Sequence, residues 1–321
     1  MSFSALTKSE LARVGSTSAC CRKAELAALV SLAGRLEIAG DRRLCLAVVT
    51  PSAAVARKTF TLFKECAGLS AEVQVYKGAR LHKNNLYRVR LPECAQPRLV
   101  LAGLGLLDRS GLLSQTCPAR LTGRDCCRRA YLRGAFLAAG SVSNPAGDYH
   151  LEIVTNSARK ARDVSALMRR FGLKALGCPR KGRHVVYLKE SESIAAFLKL
   201  AGAHTAFLEF ENARVLRGVK GDVNRVVNCE TANLNRTVEA SLRQLESIGQ
   251  LDEILGLRRL PPALRVIAAL RVENPDASLQ ELGEMMEPQI SKSAVNHRLR
   301  RLEQLAAKLG ATGPGAGRSL T

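Results

Sequence analysis

Along the first two thirds of the chain, apolar residues recur in two rhythms, a helical one and an alternating one, and the rhythms follow each other in a fixed order. Small and apolar residues at helical spacing occupy residues 20–35. Alternating stretches follow at 36–38 and 44–49, then a helical pattern at 52–66, two more strands at 71–76 and 86–91, and a last helical pattern. The same order returns with a helix from about 126, strands at 142–143 and 150–154, a helix at 156–171, strands at 173–178 and 184–188, and a closing helix. Ser52 after Pro51 and Ser157 after Asn156 supply hydroxyls suited to starting the middle helices. The pattern predicts αββαββα, twice.

The two stretches also share residues. CCRKAELAALVSLAGRL (20–36) lies over CCRRAYLRGAFLAAGSV (126–142), with Arg22 over Arg128, Ala24 over Ala130, Leu26 over Leu132, Ala33 over Ala139 and Gly34 over Gly140. LCLAVVTPSAAVARKTFTLFK (44–64) parallels YHLEIVTNSARKARDVSALMR (149–169), with Thr50 over Thr155 and Arg57 over Arg162. One unit has been duplicated. Its opening helices carry Ala24, Ala27, Ala28, Ala33 and Gly34 in one copy and Gly134, Ala138, Ala139 and Gly140 in the other. Small residues at this spacing let two helices approach almost backbone to backbone across a pseudo-twofold axis.

The last third is helical throughout. A connection basic at Arg214, Arg217, Lys220 and Arg225 leads into an amphipathic helix at about 234–248. Pro262 opens the next helix, which stops before Pro275. Ser278 and Glu281 form a capping-box pattern for a short helix, a break follows at 287–290, and Ser291 opens a longer helix reaching about 309. This punctuation predicts a helix-turn-helix at 278–309. On the longer helix Val295, Leu299, Leu302 and Ala306 share one side, and Ser293, Asn296, His297 and Arg300 the other. In a major groove asparagine suits adenine and arginine suits guanine. Lys292, Arg298 and Arg301 flank this face, where they would hold phosphates, and Ser278, Gln280 and Ser291 at the helix starts complete the expected DNA-contacting set.

Charge strengthens that picture. Lys and Arg number 49 against 28 Asp and Glu, a formal +21 whose self-repulsion calls for a polyanionic partner. Nearly all of the excess precedes residue 221; the last third is close to neutral, but acidic at 271–290 and basic at 291–308 except for Glu303. Lys8, Glu10 and Arg13 interrupt the start, unlike a signal peptide, and the longest apolar stretch is about half of a membrane span. The expectation is a soluble cytoplasmic protein at the nucleoid, with no membrane contact.

Little else in the chain points to chemistry. None of the ten cysteines stands in a C-x-x-C pair, and the doublets Cys20-Cys21 and Cys126-Cys127 make poor disulfides and poor chelates as adjacent residues. They read as small buried thiols in a reducing compartment, with no metal. His82, His150, His184, His204 and His297 lack metal-ligand spacing, and Gly103-Leu104-Gly105 is too short for a dinucleotide site. No cofactor is expected.

LRGAFLAAGSV (132–142) resembles the LAGLIDADG motif of homing endonucleases, whose fold sets two αββαββα units around paired motif helices. That resemblance implies a carboxylate before the closing glycine of each helix, holding metal ions for phosphodiester cleavage. Here those places hold Ala33 and Ala139, and Glu37, Asp148 and Glu152 belong to other elements without matched partners. The expectation is an inactive domain with no catalytic residues, in a protein that is not an enzyme. Joined to a helix-turn-helix, such a pair is similar to the WhiA family of bacterial regulators, carried by CCRKAELAAL, CCRRAYLRGAFLAAGSV, YHLEIVTNS, NRVVNCETANLNRT, LPPALR and SLQELGE followed by SKSAVNHRLRRL. The resemblance spans about 20–309 and implies a transcription factor of Gram-positive bacteria tied to sporulation, cell division and chromosome segregation. The expected architecture is α+β: a helical extension at 1–19, a duplicated LAGLIDADG-like domain at 20–218 with repeats at 20–107 and 125–202, an all-α DNA-binding domain at 219–310 and a disordered tail at 311–321. Double-stranded DNA is the expected partner. The duplicated domain would be a second DNA-contacting surface or a protein-interaction platform, and the oligomeric state stays open. The alternative is a division or nucleoid-associated factor acting mainly through protein partners.

Overall fold

Two glycines set the geometry of the first half of the molecule. A Cβ at Gly34 would stand 2.2 Å from the Val30 carbonyl oxygen, and one at Gly140 would stand 2.4 Å from the Phe136 ring. Only glycine therefore lets the chain leave a helix and enter a strand at these two places. The computed structural model describes residues 2–16, 18–38, 44–77, 85–91 and 96–311, so the expected tail beyond 311 lies outside the described residues. Contacts divide the chain into two compact units, Met1–Gly218 and Val219–Thr321.

The first unit opens with α1 (Phe3–Arg13). Its first repeat then runs α2 (Ala19–Ala33), β1 (Gly34–Ile38), β2 (Leu44–Thr50), α3 (Ala53–Ala67), β3 (Glu72–Tyr76), β4 (Leu86–Arg90) and α4 (Pro97–Gly103). The second runs α5 (Asp125–Ala139), β5 (Gly140–Val142), β6 (Leu151–Thr155), α6 (Ala158–Arg169), β7 (Leu176–Arg180), β8 (Arg183–Leu188) and α7 (Ser191–Ala201). Each repeat contains a four-stranded sheet of antiparallel pairs in equivalent order, β1-β2-β4-β3 and β5-β6-β8-β7. The αββαββα order predicted from periodicity is present in both. Three strands start at least two residues from where the pattern suggests: β1 begins at Gly34, two residues early. β5 begins at the closing glycine itself, and β7 starts at Leu176 because Leu173 and Ala175 first plug the core.

Helices α2 and α5 form the centre of this unit. They approach so closely that a Cβ at Gly134 would stand 2.4 Å from the Glu25 carbonyl oxygen. Glu25 is fully buried between them, and a carboxylate there requires compensating charge. Arg133 supplies it: its Nε and Nη2 donate to the two carboxylate oxygens at 3.0 and 2.8 Å, and Lys58 Nζ lies 3.5 Å away. The guanidinium also donates to Ser16 Oγ at 2.8 Å. The extension is fastened similarly, since the Glu10 carboxylate of α1 accepts from the Thr205 and Ala206 amides at 2.7 and 2.9 Å. These amides open α8 (His204–Leu255), where a helix presents unpaired donors and positive potential.

The connection and the helix expected at 234–248 are parts of that one 52-residue helix. No proline interrupts it, and single glycines at 218, 221 and 249 leave it unbroken. In the second unit, its residues Ile248 and Leu251 share a core with Leu264 and Ile267 of α9 (Pro262–Glu273), Leu282 of α10 (Leu279–Glu284), and Val295, Leu299 and Leu302 of α11 (Lys292–Ala311). Gly283 is required at the turn, because a Cβ there would stand 2.4 Å from the Ile290 carbonyl oxygen.

Candidate nucleic-acid interface

Helix α11 begins with a cap: Ser291 Oγ accepts from the Ala294 amide at 3.3 Å. Beyond it the helix is two-faced. Val295, Leu299, Leu302 and Ala306 are buried in the core of the second unit, while Lys292, Ser293, His297, Arg300 and Arg301 are exposed and Asn296 is half-buried. Asn296 and Lys292 line an open cleft of about 370 Å³ together with Ser278 and Gln280 from the start of α10, and Arg236 from α8. The structure thus gathers four of the ten residues predicted to contact DNA around one opening.

Several of the ten, two of these four among them, have structural duties. Ser278 Oγ accepts from the Glu281 amide at 3.3 Å, and the Ser278 amide donates to Glu281 Oε2 at 2.7 Å, closing a capping box. Bonds from the Ser278 amide and, second, its side chain hold the Glu281 carboxyl below the usual carboxylate range. Gln280 Nε2 donates to Glu284 Oε1 at 3.2 Å, and Arg298 turns back toward the Met286 sulfur at 3.6 Å. Lys292, Ser293, His297, Arg300 and Arg301, with Asn296 beside them, are left as the side chains presented outward. Sequence reasoning overlooked Arg271. It is buried, and its Nη1 donates to the carbonyls of Pro275 and Ala277 at 3.3 and 2.7 Å, tying the end of α9 to the turn before α10. Its apolar surroundings lower its pKa. An arginine interrupting IAALRVE was the available signal.

In the first unit, the end of α2 and α5 where the endonuclease motif would carry acids presents the methyl groups of Ala33 and Ala139. A cation has moved close to this end: Lys160 Nζ donates to the Ser31 carbonyl oxygen at 3.2 Å, and burial pushes its pKa down. The nearby acids are already engaged. Glu37 pairs with Arg88, and Glu152 accepts from Ser141 at 3.3 Å and pairs with His150 at 3.2 Å and Arg180 at 3.4 Å. Asp148 lies in an exposed loop.

Basic residues lie on both sheets. Register sets Arg35 and Arg90 in one row across β1, β2 and β4, and thus on one face. Arg88, two residues along β4 on that face, bonds to Gln74 at 3.2 Å and Tyr76 at 2.9 Å. In the second sheet Arg180 and Arg183 pair across a two-residue turn of Lys181 and Gly182, whose φ values of 49° and 73° suit a tight hairpin. Its tip exposes three cations.

The doublets Cys20-Cys21 and Cys126-Cys127, read singly as inert thiols, are brought together by the pairing of α2 with α5. All four Sγ atoms lie within 4.8 Å of one another. The available signal was their equivalent placement in two repeats whose opening helices meet.

Comparison with known proteins follows the same division. Three family models match successive stretches: "WhiA N-terminal LAGLIDADG-like domain" at 19–107, "WhiA LAGLIDADG-like domain" at 128–220, and "WhiA C-terminal HTH domain" at 223–306. The chain is 53% identical over 312 residues to a "Probable cell division protein WhiA" of Desulforamulus reducens, covering 96% of each. It is 52% identical over 306 residues to the protein of that name from Heliobacterium modesticaldum, covering 95% of this chain and 96% of the relative. Among solved structures it is similar to full-length DUF199/WhiA from Thermatoga maritima, with a TM-score of 0.58, 26% identity, and coverage of 96% of this chain and 99% of that one.

Proposed function

The chain belongs to the WhiA family, and from that premise we propose that it is a sequence-specific regulator of transcription that binds double-stranded DNA through α11. The observation that carries this reading is the outward face of α11, where Ser293, Asn296, His297 and Arg300 stand opposite a buried stripe. Such a face has donors and acceptors for base edges, and its flanking Lys292 and Arg301 suit phosphate contacts. Cations at the hairpin tip and sheet faces of the first unit supply sequence-independent attraction. The name of its relatives, "Probable cell division protein WhiA", supports cell division as the regulated process, and the family resemblance would extend it to chromosome segregation and sporulation. This role places the protein in the cytoplasm at the nucleoid; among the described residues no helix is long and apolar enough to cross a membrane.

In this proposal the duplicated domain binds without cutting and the protein is not an enzyme. Methyl groups replace the motif carboxylates, and Lys160 occupies the vicinity with a like charge to the ions that cleavage would need. A second reading, action mainly through protein partners, draws support from Val223, Val226, Val227 and Leu234, apolar residues exposed along α8. Selecting duplexes from a random pool with the full-length protein separates the two. A shared sequence in the retained pool supports regulation through base reading, and retention without any shared sequence overturns it.

A further inference from the structure

Two cysteine doublets meet at the N-terminal ends of α2 and α5. We propose that Cys20, Cys21, Cys126 and Cys127 together hold one zinc ion, which staples the two repeats to each other. Their sulfur atoms all lie within 4.8 Å of one another, and Cys126 and Cys127 are 3.9 Å apart. A tetrahedral zinc with bonds of about 2.3 Å sets its four sulfurs about 3.8 Å apart, so small side-chain rotations complete the shell. Each helix provides two ligands, which makes the ion a crosslink across the pseudo-twofold axis.

The donor set selects the ion. Four sulfurs with no oxygen ligand disfavour magnesium and calcium and suit a soft tetrahedral ion. Binding converts four thiols to thiolates, releases four protons and leaves a charge of −2 on the complex. Two helix N-termini converge on that charge, and Arg124, which precedes α5, adds a cation beside Cys20. Cys21 and Cys127 are buried, whereas Cys20 is half-buried and Cys126 exposed, so the site is held from within and open to an entering ion. It is separate from the metal position of the endonuclease motif. Cys20 and Ala33 stand at opposite ends of α2, roughly 20 Å apart at a rise of about 1.5 Å per residue.

The test uses the full-length protein, purified in a non-chelating reductant and analysed for metals. The expected result is one zinc per chain. After chelator treatment, cobalt should give the ligand-field bands of a tetrahedral site and a strong thiolate charge-transfer band, and zinc should raise Tm. Cys20→Ser with Cys126→Ser, at the two accessible positions, should reduce bound zinc to background and abolish the rise in Tm while circular dichroism shows retained helix. If the double variant does not fold, Cys126→Ser alone should weaken the charge-transfer band toward a three-sulfur site. The proposal is overturned if wild type neither retains nor takes up zinc, if the folded variants bind it unchanged, or if the four cysteines are recovered as disulfides or on an iron–sulfur cluster.

Discussion

The two compact units handle charge in opposite ways. In the first, positive residues are numerous, and the most conspicuous, Arg133, is used internally to neutralise a buried carboxylate. In the second, the balance is near neutral, yet an acidic stretch precedes a basic helix that turns Ser293, His297 and Arg300 outward. A surplus of cations spread over sheets attracts any duplex, whereas a few side chains held on a rigid helix can tell one duplex from another. Under the proposed function, this contrast assigns affinity and discrimination to different units.

The strongest blow to the first unit alone is Arg133→Ala. It leaves Glu25 buried without its main partner, which should cost about 3–5 kcal/mol. Chemical denaturation of the full chain should show the transition of the first unit falling while that of the second stays in place; both falling together would break the distinction. Next, Asn296→Ala or Arg300→Ala should each lower discrimination at one base pair by about 1–3 kcal/mol with non-specific binding retained. Competition titrations between matched and mismatched duplexes measure this, and unchanged selectivity would remove α11 from the reading role. Arg180→Ala with Arg183→Ala should weaken binding to every duplex alike and flatten the log–log salt dependence by roughly 0.9 per lost phosphate contact. A sequence-dependent loss would move discrimination into the first unit.

The smallest effect is expected from Ser278→Ala, which removes a cap worth about 1 kcal/mol to the second unit. It leaves the amide of residue 278, whose bond to Glu281 is the main cause of that carboxyl's lowered pKa. That carboxyl has its pKa lowered in the folded protein, so its contribution is present at neutral pH and is lost as pH falls through the lowered value. Ser278→Ala should therefore keep most of the acid limb of the stability profile, whereas Glu281→Gln should flatten it; a limb unchanged by Glu281→Gln would detach Glu281 from the cap.

What was legible in the sequence was local or repeated. The αββαββα order showed because alternating and helical periods succeed each other twice, and residue identities confirm the register between copies. The helix-turn-helix showed because Ser278, Glu281, Ser291 and the prolines mark its ends by chemistry acting over three or four residues. Where contacts span the chain, the same approach had nothing to measure. Glu25 and Arg133 stand 108 positions apart, and each looks like a stray charge in an apolar run until the helices are paired. The cysteine doublets were set aside for a sound local reason, poor chelation by two neighbours, which does not address two doublets sharing one space. The continuity of α8 was missed because asparagines and single glycines weaken a helix without ending it. The expected roles of Ser278 and Ser291 were read from their positions, whereas their hydroxyls first serve the backbone.

The Glu25–Arg133 pair also bears on how a duplicated gene becomes permanent. In the repeat alignment Glu25 lies over Tyr131 and Arg133 over Ala27, so two copies of the first half, meeting through α2, would bury the carboxylate without its guanidinium, and two copies of the second, meeting through α5, would bury the guanidinium without its carboxylate. Each repeat thereby depends on the other to compensate its buried charge, and a split of the gene would yield halves fit only for each other.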